Sequence, residues 1–120
     1  MPNPLLTAVL SLLLATLSAS SQCPRKCECL WRDAKITVDC GAQGLKAVPS
    51  DVDSATQVLN ISGNSIPALA GLQFSRFGLT NLQRISATRV GLAQVDGKAF
   101  QGLTNLVELD LAGNVLLEVS

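Results

Sequence analysis

The amino-acid sequence predicts a solenoid of stacked coils, each contributing one short parallel β-strand, closed at its N-terminal end by a disulfide-bonded cap and preceded by a signal peptide. Three observations predict this fold: a motif that recurs after twenty-four residues, four cysteines within an eighteen-residue window, and a thirteen-residue apolar run near the N-terminus. They divide the chain into a signal peptide at residues 1–21, a cysteine-rich cap at 22–54 and about two and a half repeats at 55–120.

The first element is the apolar run Leu5–Leu17, which the small residues Ser18–Ser21 follow. At ~1.5 Å per helical residue the run is much shorter than a ~30 Å bilayer core, so it suits a signal peptide better than a membrane span. No lysine or arginine precedes the run, which departs from the usual signal-peptide pattern, and a buried helix is the alternative interpretation. Cleavage near Ser21 or Gln22 would give a secreted, extracellular chain.

The second element is the cysteine cluster Cys23-Pro-Arg-Lys-Cys27-Glu-Cys29, which Cys40 completes after ten further residues. A zinc site would require Cys-x-x-Cys pairs and a reducing compartment, whereas a secreted chain favours disulfides. Four cysteines allow three pairings, and a bond between Cys27 and Cys29 would close a tight, strained ring. Of the other two pairings we favour the interlocked one, which joins Cys23 to Cys29 and Cys27 to Cys40.

Between the last two cysteines lies a short predicted strand. The segment Ile36-Thr-Val38-Asp-Cys40 alternates apolar and polar residues, which is typical of a strand with one buried face. We expect Trp31 to pack over the same small core, and an exposed binding anchor is the alternative interpretation. In either case the cap would cover the apolar end of the first coil, which no coil can bury alone.

The third element is a tandem repeat, which is visible because Gly78-Leu-Thr-Asn-Leu82 recurs as Gly102-Leu-Thr-Asn-Leu106. Three copies follow the leucine-rich pattern L-x-x-L-x-L-x-x-N-x-L, and the last copy is complete. The first two copies are twenty-six residues apart, which places two extra residues near 75–77. The pattern positions are Thr56, Leu59, Ile61, Asn64 and Ile66; Leu82, Ile85, Ala87, Val90 and Leu92; and Leu106, Leu109, Leu111, Asn114 and Leu116.

Each copy contributes one parallel strand whose side chains alternate inward and outward. The inward residues would stack from coil to coil, and the asparagine after each strand would bond the backbone of two coils. Val90 interrupts that asparagine ladder, so water or an altered turn must satisfy the backbone there. Ala87 is small for its position, which predicts that the middle coil is the least well packed. The inward residues are Leu59, Ile61, Ile85, Ala87, Leu109 and Leu111, and the ladder residues are Asn64 and Asn114.

The C-terminal end of the repeat is predicted to be apolar and open, because no cysteine cap follows Asn114 in this sequence. An open solenoid end exposes a stripe of leucine to water, which favours association. We therefore expect that the chain is the N-terminal part of a longer protein, or that this end associates with a second copy or with a related protein.

Composition argues against several functional classes. Nine basic and nine acidic side chains give a net charge of zero, whereas a nucleic-acid-binding protein requires a clustered basic face. The chain has no histidine and no tyrosine, and its four cysteines are assigned to disulfides, so groups for nucleophilic or general-base catalysis are scarce. We therefore predict a protein that is not an enzyme, uses no cofactor and binds neither metal nor nucleic acid.

The outward strand positions form the concave face, which is the predicted protein-binding surface. In neighbouring strands ~4.8 Å apart, Arg84 would lie beside Glu108 and Ser86 beside Asp110. A solvated ion pair worth roughly 0–1 kcal/mol is the simpler interpretation, and a charged patch that orients a protein partner is the alternative. Asn60-Ile-Ser is a predicted glycosylation site on the same face. The candidate contact residues are Arg84, Ser86, Thr88, Arg89, Glu108 and Asp110.

The sequence resembles known proteins at two levels. The cluster Cys23-Pro-Arg-Lys-Cys-Glu-Cys29, the pair Cys40-Gly and the segment 45–49 resemble the N-terminal cysteine cap of extracellular leucine-rich-repeat proteins. That resemblance implies that the first cysteine pairs with the third and the second with the fourth. More narrowly, segments 56–64 and 100–111 are similar to Kekkon-type receptors, which are single-pass membrane proteins with leucine-rich repeats and one immunoglobulin domain.

The Kekkon-type resemblance spans roughly residues 23–116. It implies a non-catalytic extracellular module that recognises a protein ligand or a cell-surface receptor, within an adhesion or signalling-modulating receptor of the plasma membrane. This sequence lacks the later repeats, the immunoglobulin domain, the membrane span and the cytoplasmic tail of that group. The alternative is therefore a short secreted decoy or structural leucine-rich-repeat protein that pairs with related receptors.

Overall fold

A computed structural model describes residues 22–116 and 118–119, so the predicted signal peptide at 1–21 lies outside the described residues. Within that part of the chain, eight β-strands form two separate sheets, and a turn of 3-10 helix, Ser75–Phe77, lies between the fourth and fifth strands. No helix in those ranges is both long and apolar enough to cross a bilayer. The strands are β1 Glu28–Arg32, β2 Lys35–Asp39, β3 Val58–Asn60, β4 Ala68–Leu69, β5 Arg84–Ser86, β6 Gln94–Val95, β7 Glu108–Asp110 and β8 Glu118–Val119.

The larger sheet has the strand order β1-β2-β3-β5-β7 and contains the predicted strand of every repeat copy. β1 and β2 form an antiparallel hairpin, whereas β2, β3, β5 and β7 run parallel. The hairpin turn is formed by Asp33 and Ala34, whose φ angles of 53° and 59° suit a two-residue turn that matches the twist of the strands. The cap therefore extends the sheet of the repeats as well as covering the end of the first coil.

The smaller sheet, β4-β6-β8, lies in the return segments of the coils. Its two-residue strands run parallel, and the Asp96 amide continues the pairing by donating to the Leu69 carbonyl at 3.0 Å. An irregular or 3-10 convex side was predicted, and the 3-10 turn is present, but the second sheet was not foreseen. Two-residue strands are too short to produce an alternating pattern in the sequence.

The predicted inward residues form a continuous core. In the register, Leu59 lies opposite Ile85 and Ile85 opposite Leu109, and the side chains of Leu59, Ile61, Ile85 and Ala87 are all buried. Leu109 points the same way but is 37% exposed, since no described strand lies beyond β7 in the sheet. The exposed apolar surface expected at this end of the solenoid is therefore present.

Two aromatic residues of the return segments also pack in register. Phe74 is fully buried, and its ring stacks on that of Phe100 with the centroids 5.8 Å apart. Directly after Phe74, the two extra residues of the first repeat are accommodated by the 3-10 turn. Gly78 ends that turn at φ 79°, a left-handed conformation that glycine adopts without a Cβ clash. The prediction of an insertion near 75–77 is confirmed.

The asparagine ladder is present on both sides of Val90. The Asn64 Oδ1 accepts from the amides of Gln43 and Leu45 at 3.0 Å each, and its Nδ2 donates to the Cys40 and Ile61 carbonyls at 2.9 and 2.8 Å. Asn114 makes the equivalent bonds two coils later, since its Oδ1 accepts from the amides of Val90 and Leu92. One asparagine side chain thus forms hydrogen bonds with buried backbone groups of two adjacent coils.

At the gap in the ladder a backbone hydrogen bond takes the place of a side-chain bond. Val90 is buried and has no polar side-chain atom, but its backbone carbonyl accepts the Ile66 amide at 2.8 Å. A backbone carbonyl therefore accepts the hydrogen bond of the Ile66 amide, which the side chain of an asparagine at position 90 would otherwise accept.

The cap confirms the interlocked disulfides, Cys23–Cys29 and Cys27–Cys40. Cys40 is fully buried and Cys27 packs against the core, whereas Cys23 and Cys29 are exposed. The Cys40 amide donates to the Asn60 carbonyl at 2.7 Å, which continues the β2–β3 ladder. The second disulfide therefore ties the cap hairpin to the point where it joins the repeats.

Two expectations for the cap are wrong in detail. Trp31 does not pack over the core but is 69% exposed, because it lies on β1, the edge strand, where no further described strand covers it. The β2 strand also buries more than one face, since Val38 is buried inward and Thr37 is buried on the opposite face. Thr37 lies opposite Leu30 of β1 and Val58 of β3, and the addition of β1 to the sheet accounts for its burial.

Candidate functional site

The larger sheet carries the candidate contact residues on its concave face. Because side chains alternate along each strand, the first and third residues of β3, β5 and β7 point outward and the central residue points into the core. The register places Arg84 between Val58 and Glu108, and Ser86 between Asn60 and Asp110. The predicted neighbours are therefore adjacent, and they form two rows across the repeat strands.

The first row contains an ion pair. The Arg84 Nε lies 2.6 Å from the Glu108 Oε2, and the two side chains are 53% and 54% exposed. An ion pair with that exposure contributes at most about 1 kcal/mol, because water screens it and both side chains lose rotamer freedom. The pair does more to set the position of the Arg84 guanidinium than to hold the fold together.

The Arg84 side chain also borders a depression at the cap side of the face. This depression has a volume of about 190 Å³ and contains three cationic side chains and one carboxylate. The cap residues of this depression were not predicted, because the predicted concave face ended at the first repeat strand. The signal was present in the alternation of the 36–40 segment, which predicts a strand that can extend the sheet. The lining residues are Arg32, Asp33, Lys35, Thr37, Val58 and Arg84.

The second row forms turns at the ends of the strands. The Asp39 Oδ1 accepts from the Gly41 amide at 2.9 Å, the Asn60 Oδ1 from the Ser62 amide at 3.0 Å, and the Asp110 Oδ1 from the Ala112 amide at 3.0 Å. Short side chains with an oxygen at this position bond their own backbone two residues later. These side chains are therefore held in fixed orientations along the edge of the concave face.

Asn60, the predicted glycosylation residue, is part of that second row. Its Nδ2 donates to the Asp39 Oδ1 at 3.0 Å, and a Cβ on Gly41 would lie 3.1 Å from the same nitrogen. The side chain is half-buried and lies beside Asp39 of the cap. A glycan on this nitrogen would cover the part of the concave face that adjoins the cap.

Ser86 and Thr88 are linked to the neighbouring coil through Ser62. The Ser62 Oγ lies 2.9 Å from the Ser86 Oγ and accepts from the Thr88 amide at 2.9 Å. Both residues are half-buried, so they offer less to a partner than the exposed Arg84, Arg89, Glu108 and Asp110 do. Of the six candidates, the structure leaves these four charged side chains available.

A second depression lies beyond this row. It has a volume of about 340 Å³, and Thr88, Arg89, Asp110, Ala112 and Gly113 line it. Among the described residues there is no group of three or more side chains with metal-ligating chemistry. The site thus offers hydrogen-bond donors, acceptors and opposite charges on a rigid sheet, which is the chemistry of recognition.

The comparisons with known proteins agree with this architecture. No family model matches the chain. It is 30% identical over 112 residues to leucine-rich repeat-containing protein 3 of Danio rerio, which covers 92% of this chain and 41% of that protein. It is 36% identical over 100 residues to trophoblast glycoprotein of Macaca fascicularis, covering 82% of this chain and 23% of that protein.

A solved structure matches as well. The crystal structure of human 5T4 (Wnt-activated inhibitory factor 1, trophoblast glycoprotein) superposes with a TM-score of 0.76 at 34% identity, over 83% of this chain and 36% of that one. The chain therefore spans less than half the length of each of these proteins. The narrower resemblance to Kekkon-type receptors stays a prediction.

The relatives are extracellular or cell-surface leucine-rich-repeat proteins, a class that generally binds proteins and is typically non-catalytic. In this chain the twenty-four-residue register, the interlocked cysteine cap and the superposition on a solved solenoid agree with one another. The chain has the fold of a leucine-rich-repeat solenoid with an N-terminal cysteine cap, and the relatives that it matches are leucine-rich-repeat proteins.

Proposed function

We propose that the chain is the N-terminal part of an extracellular protein-recognition module, in a cell-surface receptor that acts in adhesion or modulates signalling. The observation that carries the proposal is the concave sheet β1-β2-β3-β5-β7, which presents exposed charged side chains at fixed spacing. Arginine is enriched among the residues that dominate binding energy at interfaces, and charge complementarity orients a partner. The relatives, as extracellular or cell-surface proteins, support the same class of function.

Partner binding is tested with the secreted chain, tetramerised and applied to a panel of cell types in flow cytometry. Arg84→Glu should reduce the apparent affinity for a binding cell type at least about tenfold, which corresponds to about 1.4 kcal/mol. The control is Lys98→Glu, which makes the same charge change at an exposed residue of a return segment. The control should bind as the unmodified chain does.

A double exchange, Arg84→Glu with Glu108→Arg, separates recognition from folding. The exchange keeps an ion pair between the same two positions, so secretion and thermal stability should stay unchanged. Binding should remain lost, because the charges presented to the partner are reversed. If the double exchange restores cell binding, the pair acts only within the fold and the concave face is not the recognition surface.

We also propose that Asn60 carries an N-linked glycan. Its sequon lies on a half-buried but solvent-accessible strand end, next to the cap. Enzymatic deglycosylation of secreted chain should convert Asn60 to aspartate, a mass change of about one dalton that peptide mass spectrometry detects. Ser62→Ala removes the sequon and should abolish the conversion, whereas Ser62→Thr should keep it. An unmodified Asn60 in the starting protein would refute the proposal.

A second candidate function is a secreted decoy that pairs with a second copy or with a related receptor. The observation that favours it is the exposed apolar side chains of the last described coil, which include Val107, Leu109, Val115 and Leu116. Pairing through these residues predicts association that depends on concentration in analytical ultracentrifugation. Leu109→Lys should abolish that association, and a chain that stays monomeric at the highest attainable concentration would exclude this candidate.

A further inference from the structure

The turn that follows β5 differs from the turns of the coils on either side. Gly63 and Gly113 directly precede the ladder asparagines and adopt φ angles of 71° and 72°, in the left-handed region that favours glycine. The corresponding residue of the middle coil is Arg89, which holds a φ of 51°. A residue with a Cβ is strained in this conformation. The chain therefore has an arginine where its own repeat pattern would be more stable with glycine.

The next coil provides space for the Arg89 side chain. A Cβ built on Gly113 would lie 2.6 Å from the Arg89 Cγ and 3.6 Å from its Cδ, so the aliphatic part of the arginine lies directly over this glycine. No other residue type at position 113 would leave that path open without moving the arginine. Two neighbouring positions are thus matched to each other, and together they fix the direction in which the arginine extends.

The Arg89 guanidinium is free to bind. The residue is exposed, and within residues 22–116 its side chain makes neither a hydrogen bond nor an ion pair; the one ion pair formed there joins Arg84 to Glu108. Asp110 lines the same depression, but its Oδ1 is engaged by the Ala112 amide. The strained conformation of Arg89 is therefore not compensated by a hydrogen bond or ion pair of its side chain with another described residue.

The charges of the depression select among possible ligands. One cation, Arg89, and one carboxylate, Asp110, give it a formal charge of zero. Asp110 repels a doubly charged phosphate or a sulfated polymer more strongly than a singly charged carboxylate, and a carboxylate can form a two-bonded pair with the planar Arg89 guanidinium. A volume of about 340 Å³ has room for an acidic side chain and part of its backbone.

We propose that this depression, the Arg89 pocket, seats an acidic side chain of the protein partner, with the Arg89 guanidinium donating to its carboxylate. The inference rests on the proposed function, because it names the chemistry that the partner brings to the recognition face. It assigns Arg89 as a specificity-determining residue that is retained at the expense of stability.

The pocket is tested with the secreted chain labelled with 15N in its arginines. The probe is the blocked tripeptide acetyl-Gly-Glu-Gly-amide, and its glutamine analogue and inorganic phosphate are compared at equal ionic strength. The Arg89 Nε–H resonance should shift saturably with the glutamate peptide alone. Arg76 is exposed on the 3-10 turn and should not shift, which makes it the internal control. If Arg89 responds no more than Arg76, or responds equally to phosphate, the proposal is wrong.

Variants separate the side chain from the turn. Arg89→Ala should keep the melting temperature within about 1 °C and lose the peptide response, whereas Arg89→Gly should lose the response and melt roughly 2–4 °C higher. Ala42→Gly is the matched control: Ala42 holds a φ of 53° at the equivalent position of the cap. It should melt higher and keep the response. If Arg89→Gly melts lower than the unmodified chain, the arginine stabilises the fold and the inference fails.

The two proposals can fail independently. If Arg84→Glu abolishes cell binding while the glutamate peptide leaves Arg89 unmoved, the recognition face stands and the Arg89 pocket is excluded. If the peptide titrates Arg89 but Arg84→Glu and Arg89→Ala both leave cell binding unchanged, the concave face is not the surface that binds cells. In that case the pocket binds carboxylates without serving the proposed function, and the assignment of Arg89 as a specificity residue is overturned.

Discussion

At the scale of single residues, the least favourable group in the core is the hydroxyl of Thr56. This threonine occupies the first leucine position of the repeat pattern and is fully buried, and its Oγ1 has no hydrogen-bond partner among the described residues. A buried hydroxyl without a partner loses its bonds to water and gains nothing in return. The residue fits the core by size but not by polarity.

Thr56→Val should therefore raise the free energy of unfolding by about 1 kcal/mol, because valine keeps the shape and removes the unsatisfied group. The measurement is urea unfolding of the secreted chain. Thr37→Val is the matched control: Thr37 is also buried, but its Oγ1 donates to the Lys35 carbonyl at 3.2 Å. The control should be neutral or destabilising, and equal gains for both variants would mean that burial of the hydroxyl has no specific cost here.

The residues of the candidate site were predicted to different degrees. The Arg84–Glu108 pair followed from the twenty-four-residue spacing of the last two copies, because equivalent residues of successive copies become neighbours in parallel strands. The exposure of Trp31 could not be predicted from the sequence, because a tryptophan located between two cysteines is expected to pack in a small core. Its position on an edge strand depends on how the hairpin joins the repeats, and that is a tertiary property.

At the scale of elements, the cap hairpin is anchored chiefly by the Cys27–Cys40 disulfide. Cys40 is fully buried directly after β2, and the two cysteines are thirteen positions apart in the sequence. Cys23–Cys29 closes a six-residue separation and lies at the surface. Closing a longer loop removes more entropy from the unfolded chain, and the buried sulfur also contributes packing.

Replacing both Cys27 and Cys40 by alanine should lower the free energy of unfolding by about 3 kcal/mol. The same replacement of Cys23 and Cys29 should have a smaller effect, because their loop is shorter and their side chains are exposed. Guanidinium unfolding of the two double variants under identical conditions gives the comparison. If the two variants lose equal stability, burial of Cys40 does not contribute to the anchoring of the cap.

The elements of the repeat were predictable where a side-chain pattern extends over several residues. Alternation located β2, the repeat pattern located β3, β5 and β7, and the longer first spacing located the insertion that forms the 3-10 turn Ser75–Phe77. The strands of the smaller sheet have only two residues each, so no periodicity could reveal them. The backbone bond from Ile66 to Val90 was foreseen only as one of two alternatives, because a sequence does not specify turn geometry where a side-chain donor is missing.

At the scale of the whole molecule, stability should decrease along the solenoid. The central residue of β3 and that of β5 are fully buried, whereas every residue of β7 is exposed. In a stacked array each coil is stabilised by its neighbours, so a coil with a neighbour on one side opens more readily.

Native-state hydrogen exchange should therefore follow the order of the coils. The Leu59 and Ile85 amides are expected to exchange at least tenfold more slowly than the Leu109 amide, a difference of about 1.4 kcal/mol in local opening. The measurement is amide exchange followed by NMR or mass spectrometry at low protein concentration, where the apolar end has no partner. Uniform exchange from β3 to β7 would mean that the array opens as one cooperative unit.

The antiparallel orientation of β1 also gives the array a direction in evolution. A duplicated twenty-four-residue unit can be inserted beside any parallel strand, but beyond β1 it would meet a strand running the opposite way. New units are therefore accommodated only on the distal side of the hairpin. Each inserted unit would increase the distance between the cap hairpin and the strands that follow the insertion by ~4.8 Å. The order of the existing strands would not change. Proteins that gain or lose repeat units can thus change the distance between contact residues on the cap and on later strands without any change in the cap itself.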